Sequence, residues 1–146
     1  MKPKAYIETT IIGYLTARPS RDLIVAAHQQ VTQEWWEKRR GSFDLYISQL
    51  VIQEAGAGDK QVAQQRLQVM EGLPLFELRQ DAVALVRALV EKGVLPRKAA
   101  EDALHIPVAT VHGMDYVLTW SLQHLANAAM RNAIIAACRC RAMGHR

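Results

Sequence analysis

Short apolar runs alternate along this chain with longer stretches whose apolar residues recur at helical spacing. Lys4-Ala5-Tyr6-Ile7, with β-branched and aromatic content and bounded by Pro3 and Thr9-Thr10, predicts a strand. A hydroxyl pair directly after a strand is a helix cap, so a short helix is expected over 11–15. After the loop Ala17-Arg18-Pro19-Ser20, Ser20 or Asp22 can cap a helix reaching about Arg40. Its apolar positions are Leu23, Ile24, Ala27, Val31 and Trp35, and Gly41 is expected to end it. Residues 43–48 predict a second strand, leading into a helix that carries Glu54 and is interrupted by Gly56-Ala57-Gly58. Asp59 caps a helix through Met70, Gly72-Leu73-Pro74 is a turn, and 75–78 is a third strand. Helices follow over 82–90, stopped by Gly93 and Pro96, and over 98–112. Residues 116–119 form a fourth strand, and Asn127 can cap a last helix to about Arg141.

Strands alternating with helices are the signature of an α/β domain with a mostly parallel sheet. In such folds, sites form where strand C-termini meet helix N-termini. The 146 residues suit one domain with one core, without repeats or a dividing linker. Half of them are hydrophobic and 22% are charged, as in an ordinary globular protein. No apolar run approaches the roughly 20 residues of a membrane-spanning helix. Met1-Lys2-Pro3-Lys4 leads straight into a strand pattern, not a signal peptide, so a soluble cytoplasmic protein is expected. The net charge of +4 adds a mild bias toward polyanions. Its clusters, Lys38-Arg39-Arg40 and Arg131, Arg139, Arg141 and Arg146, also suit a solvated helix end and a C-terminal tail. Cys138 and Cys140 are too close for an unstrained disulfide and lack zinc spacing, so they read as reduced, incidental thiols.

Three acids stand at positions where a fold of this class can build a site. Glu8 follows the first strand, Glu54 follows the second, and Asp102 stands early in the helix before the fourth. Each alone has an ordinary explanation: a strand-end or helix-start charge for Glu8, a surface helix residue for Glu54, a first-turn acid for Asp102. Glu101 is the better candidate for that solvated first-turn role, which leaves Asp102 for a site. Carboxylates brought together repel one another unless a cation joins them. As hard oxygen ligands they suit Mg²⁺ or Mn²⁺, which can activate water against a phosphodiester. A nucleotide-binding α/β domain fits poorly, because Gly56-Ala57-Gly58 lacks the rest of a Walker or Rossmann loop.

Four short motifs, in order and spanning almost the whole chain, resemble the PIN domain, the ribonuclease fold of toxins from type II toxin–antitoxin pairs (the VapC-like group). Tyr6-Ile7-Glu8-Thr9-Thr10 resembles the opening strand and first acid. Ser48 to Glu54 resembles the second strand and its acid. Glu101-Asp102-Ala103-Leu104-His105-Ile106 resembles the helix with the third acid, and Tyr116-Val117-Leu118-Thr119-Trp120-Ser121 the strand and loop that bring a fourth polar residue. The resemblance implies a three-layer domain over 1–141, with a central, mostly parallel sheet of about four strands, followed by a short basic tail over 142–146. It implies a Mg²⁺- or Mn²⁺-dependent endoribonuclease, with Glu8, Glu54 and Asp102 as metal ligands and Ser121 assisting a water. It also implies an RNA substrate, a cognate antitoxin protein and a homodimer.

The chain departs from the family pattern in three places. Glu8 stands where Asp is usual, adding a methylene. Ser121 stands where the family has Asp or Asn, leaving three formal negative charges and an expectation of weaker metal binding than in a four-acid relative. The C-terminal residues carry no pattern for the family's closing edge strand, which is therefore expected to be missing. These departures motivate an alternative, a catalytically weakened PIN-like protein acting by RNA or partner binding. Thr9, Trp120 and His124 are candidates for substrate contact or for the rim. Trp120 is more simply packing, His105 structural, Asn127 a helix cap, and Trp35-Trp36 a packing or partner feature.

Overall fold

A strand covered on both faces must be apolar at every position, whereas a half-exposed one alternates. Ala5, Tyr6 and Ile7 are all fully buried, and β1 (Lys4–Ile7) lies inside a four-stranded sheet. This is seen in a computed structural model that describes residues 2–76, 80–93, 105, 108–109 and 112–120. The other strands are β2 (Asp44–Ser48), β3 (Leu75–Phe76) and β4 (Tyr116–Leu118), and the sheet order is β3-β2-β1-β4. Every pairing is parallel: Ala5 stands opposite Leu45 and Tyr116, and Ile47 opposite Leu75. The backbone N–H of Asp115 donates to the Lys4 carbonyl at 2.9 Å, and its carboxylate accepts from the Lys4 N–H at 2.8 Å, which sets the register of β4.

Parallel strands need crossovers, and here helices supply them. The helices are α1 (Thr9–Thr16), α2 (Leu23–Lys38), α3 (Gln49–Ala55), α4 (Lys60–Met70) and α5 (Gln80–Glu91). The expected α/β class with a parallel sheet and flanking helices is what the structure has. Side-chain caps begin four of the helices. Glu8 accepts from the Thr10 N–H, Asp22 from Ile24 and Val25, Ser48 from Val51, and Asp59 from Gln61 and Val62. Gly72, at φ 83°, turns the chain between α4 and β3 in a conformation that a side chain would strain.

By its contacts the chain divides into two compact units. Met1–Phe76 with Asp115–Trp120 form the first, which holds the four described strands and α1 to α4. Its buried apolar residues include Tyr6, Ile7, Ile12, Ile47 and Val51. The second contains, among the described residues, α5 and the buried residues His105, Val108 and Ala109. No helix among the described residues is long and apolar enough to cross a membrane.

Several expectations are corrected. The cap of α1 is the Glu8 carboxylate, not the Thr9-Thr10 pair, and the helix starts at Thr9. The hydroxyls are drawn instead to acids: Thr9 to Glu54, Thr10 to Glu8. Gly41 does not end α2, which stops at Lys38 and passes into a 3₁₀ turn over Arg40–Ser42. The apolar stripe of α2 is not its inner face. Leu23 is 86% exposed, Ile24 70% and Val31 55%, while Thr32 is buried. The polar side makes specific bonds: Gln29 donates to the Arg18 carbonyl and accepts from the Ser20 N–H, Gln33 donates to the Leu15 carbonyl, and Thr32 accepts from the Trp120 indole. Such directed bonds fix which side faces in; apolar burial has no direction of its own. Of the adjacent indoles, Trp35 packs on Phe43, and Trp36 lies under the exposed Arg40 guanidinium at 4.6 Å. The expected last helix, the tail and the absent closing strand lie outside the described residues, as does most of the helix expected over 98–112.

A core and a surface substitution separate these faces. Ile47→Ala, at a site 1% exposed, is expected to cost about 2–5 kcal/mol in urea denaturation. Leu23→Ala is expected to change stability by no more than about 0.5 kcal/mol. A large loss at Leu23 would show that the stripe is buried in solution.

Candidate active site

In a parallel sheet of order β3-β2-β1-β4, the crossovers leave β1 toward β2 on one side while β4 returns on the other. The crevice beyond the C-terminal ends of such strands is where ligands bind. Glu8 is the residue directly after β1, Thr119 the one directly after β4, and Ser48 the last of β2. Glu8 is 5% exposed and its donors come from two elements. Its Oε1 accepts from the Thr119 hydroxyl at 2.5 Å and the Thr10 hydroxyl at 2.9 Å, and its Oε2 from the Thr10 N–H at 2.5 Å. Its own N–H donates to the Leu118 carbonyl at 3.0 Å, closing the β1–β4 ladder.

Glu54 reaches the same end of the sheet from α3. Its Oε1 accepts from the Thr9 hydroxyl at 2.5 Å, so consecutive threonines of the first turn of α1 serve the two acids. Beneath them lies Tyr6, on the same side of β1 as Glu8 by strand alternation. Its hydroxyl shares a 2.8 Å hydrogen bond with Ser48 Oγ, the cap of α3. Burial pushes the Tyr6 hydroxyl far above its ordinary range; the Ser48 bond opposes this, and the charges of Glu54 and Glu8 add to it. Both carboxylates therefore stand within electrostatic reach of one buried phenol.

Beside this lies an aromatic wall. Trp120 stacks on His28 with ring centroids 4.2 Å apart and meets Tyr14 edge-on at 6.0 Å. Its indole N–H donates to Thr32 Oγ1 at 2.8 Å and its backbone N–H to Thr10 Oγ1 at 2.9 Å. With a face and its N–H both taken, Trp120 serves as packing that holds the loop after β4 against α1 and α2.

Of the residues singled out in the sequence, Glu8, Glu54, Thr9 and Trp120 belong to the first unit and are placed as above. Asp102, Ser121, His124 and Asn127 lie outside the described residues. Among the described residues no three His, Cys, Asp or Glu side chains stand close enough to hold a metal ion. The donors present are carboxylate and hydroxyl oxygens, and that hard set fits Mg²⁺ or Mn²⁺ rather than a thiolate- or imidazole-seeking metal. Sequence motifs alone give no site role to Tyr6, Thr10, Ser48 or Thr119, although Thr10 belongs to the hydroxyl pair expected to cap α1. The signal for them was present: Tyr6 is two residues before Glu8, and each hydroxyl lies at or just beyond a strand end. No protein-family model, no curated protein and no solved structure matches the chain.

The Tyr6 environment has a pH signature. In the unfolded chain this phenol ionises near 10.0, whereas in the fold it holds its proton to higher pH. The native state then binds the extra proton, so the stabilisation is complete below the unfolded value and is lost as pH rises above it. The fall in urea midpoint between about pH 9 and pH 11 should be smaller in Tyr6→Phe than in the wild type. Removing the hydroxyl should itself cost about 1 kcal/mol at neutral pH, through the lost Ser48 bond. Parallel alkaline losses in the two proteins would contradict the buried, protonated phenol.

Proposed function

We propose that the chain is a metal-dependent endoribonuclease of PIN type, the toxin of a toxin–antitoxin pair, which hydrolyses RNA phosphodiesters. The observation that carries this reading is that consecutive threonines at the start of α1 hold Glu8, directly after β1, and Glu54, on α3, at the C-terminal end of the sheet. An oxygen-only donor set at a strand-end crevice supports a hard divalent cation. Glu8 and Glu54 would hold it, with Asp102 as the third acid that the family resemblance implies. A divalent cation held there would supply an acidic water near neutral pH and positive charge beside the scissile phosphate. This chain's own residues set the direction of the acids: Thr9 orients Glu54, and Thr10 and Thr119 orient Glu8. Ser121 would hold a water, and lysine and arginine side chains would grip the RNA backbone. A cognate antitoxin and a second copy of the chain are the proposed protein partners.

One observation favours the alternative of a catalytically weakened protein that acts by binding. The Glu8 oxygens are already occupied by three donors. Cleavage of a mixed tRNA and mRNA pool distinguishes the readings. The purified protein should cut with Mg²⁺ or Mn²⁺ and stop with EDTA. Glu54→Gln and Asp102→Asn should each lose activity on the order of a hundredfold or more while staying folded. RNA retained on the protein without cleavage under either metal would establish the binding reading instead.

A further inference from the structure

We propose that Thr10 and Thr119 are positioning residues that hold Glu8 as a one-oxygen metal ligand, committing Oε1 to the protein and leaving Oε2 to the cation. This rests on the metal-dependent reading above.

A carboxylate has about four acceptor positions, two on each oxygen. On Glu8, Oε1 takes the Thr119 hydroxyl at 2.5 Å and the Thr10 hydroxyl at 2.9 Å, and is full. Oε2 takes the Thr10 N–H at 2.5 Å and has one position left. The direction of the Thr10 bond is fixed by its neighbour. The backbone N–H of Trp120 can only donate, so Thr10 Oγ1 accepts it at 2.9 Å and turns its single proton to Glu8. Binding a cation through both oxygens would displace the Thr119 or the Thr10 hydroxyl from Oε1. At 5% exposure, bulk water is poorly placed to replace those donors.

The same geometry accounts for glutamate at this position. Aspartate is shorter by one methylene, about 1.5 Å, and a carboxylate drawn back toward β1 loses reach to Thr119 on the neighbouring strand. Glu8 and Thr119 thus form a matched pair: the longer acid reaches the residue after β4, and the Thr119 hydroxyl turns it. Ligand orientation by such outer hydrogen bonds sets metal affinity as well as position.

The test is Mn²⁺ binding to the full chain without RNA, followed by the paramagnetic resonance signal of free Mn²⁺. Thr119→Val keeps the shape and removes the hydroxyl; it should weaken binding about tenfold. Thr119→Ser restores the donor and should stay within about twofold of the wild type. Glu8→Asp should also weaken binding, although the shorter acid is the usual residue in the family that the chain resembles. Circular dichroism and urea midpoints establish that each variant is folded. If Thr119→Val does not fold, Glu8→Asp decides alone: unchanged or tighter Mn²⁺ binding overturns the clamp. Wild-type affinity in folded Thr119→Val, with binding weakened in Glu8→Gln, overturns the clamp and leaves the metal reading standing. A wild-type protein that binds no Mn²⁺ overturns both.

Discussion

A buried carboxylate has to be supplied with hydrogen-bond donors, and at Glu8 that requirement organises one end of the sheet. The donors come from the first turn of α1 and from the residue after β4. One side chain therefore begins a helix, joins the ends of two parallel strands and stands at the C-terminal end of the sheet. The neighbouring acid is handled alike, with Thr9 turned to Glu54. Stability and site geometry are coupled here because the same hydroxyls serve both.

Below the acids, the Tyr6–Ser48 pair sets how α3 leaves β2. Ser48 caps the helix that carries Glu54 and also meets the Tyr6 hydroxyl of β1. A polar pair in a core is costly unless its members satisfy each other, and this one does so where two strands and a helix meet. Keeping the phenol protonated beneath two acids also keeps a third negative charge away from them.

The packing of α2 follows from directed bonds more than from apolar area. Thr32, its one buried residue, accepts from the Trp120 indole, and Gln29 and Gln33 bond the backbone of the α1–α2 connection and of the last turn of α1, beside the half-buried Val25, Trp35 and Trp36. Leu23, Ile24 and Val31 are left on the outside. Helical periodicity locates an apolar stripe but does not say whether the first unit covers it.

Local pattern was enough for the architecture. Continuous apolar residues over 5–7 mean a buried parallel strand, Asp22 and Asp59 announce helix starts, and the alternation of periods means α/β, all because these signals lie within a few residues of one another. The acids after the first two strands could be found the same way. What the sequence could not contain is pairing across long separations. Thr119 meets Glu8 from 111 residues away, Thr9 meets Glu54 from 45, and Thr32 meets Trp120 from 88. A hydroxyl has several nearby acceptors in any local conformation, so its choice is made only when the sheet closes. Only closure of the sheet brings the Thr119 hydroxyl to the Glu8 carboxylate and the Trp120 indole to Thr32, because these donors and acceptors lie far apart along the chain and must find partners once buried.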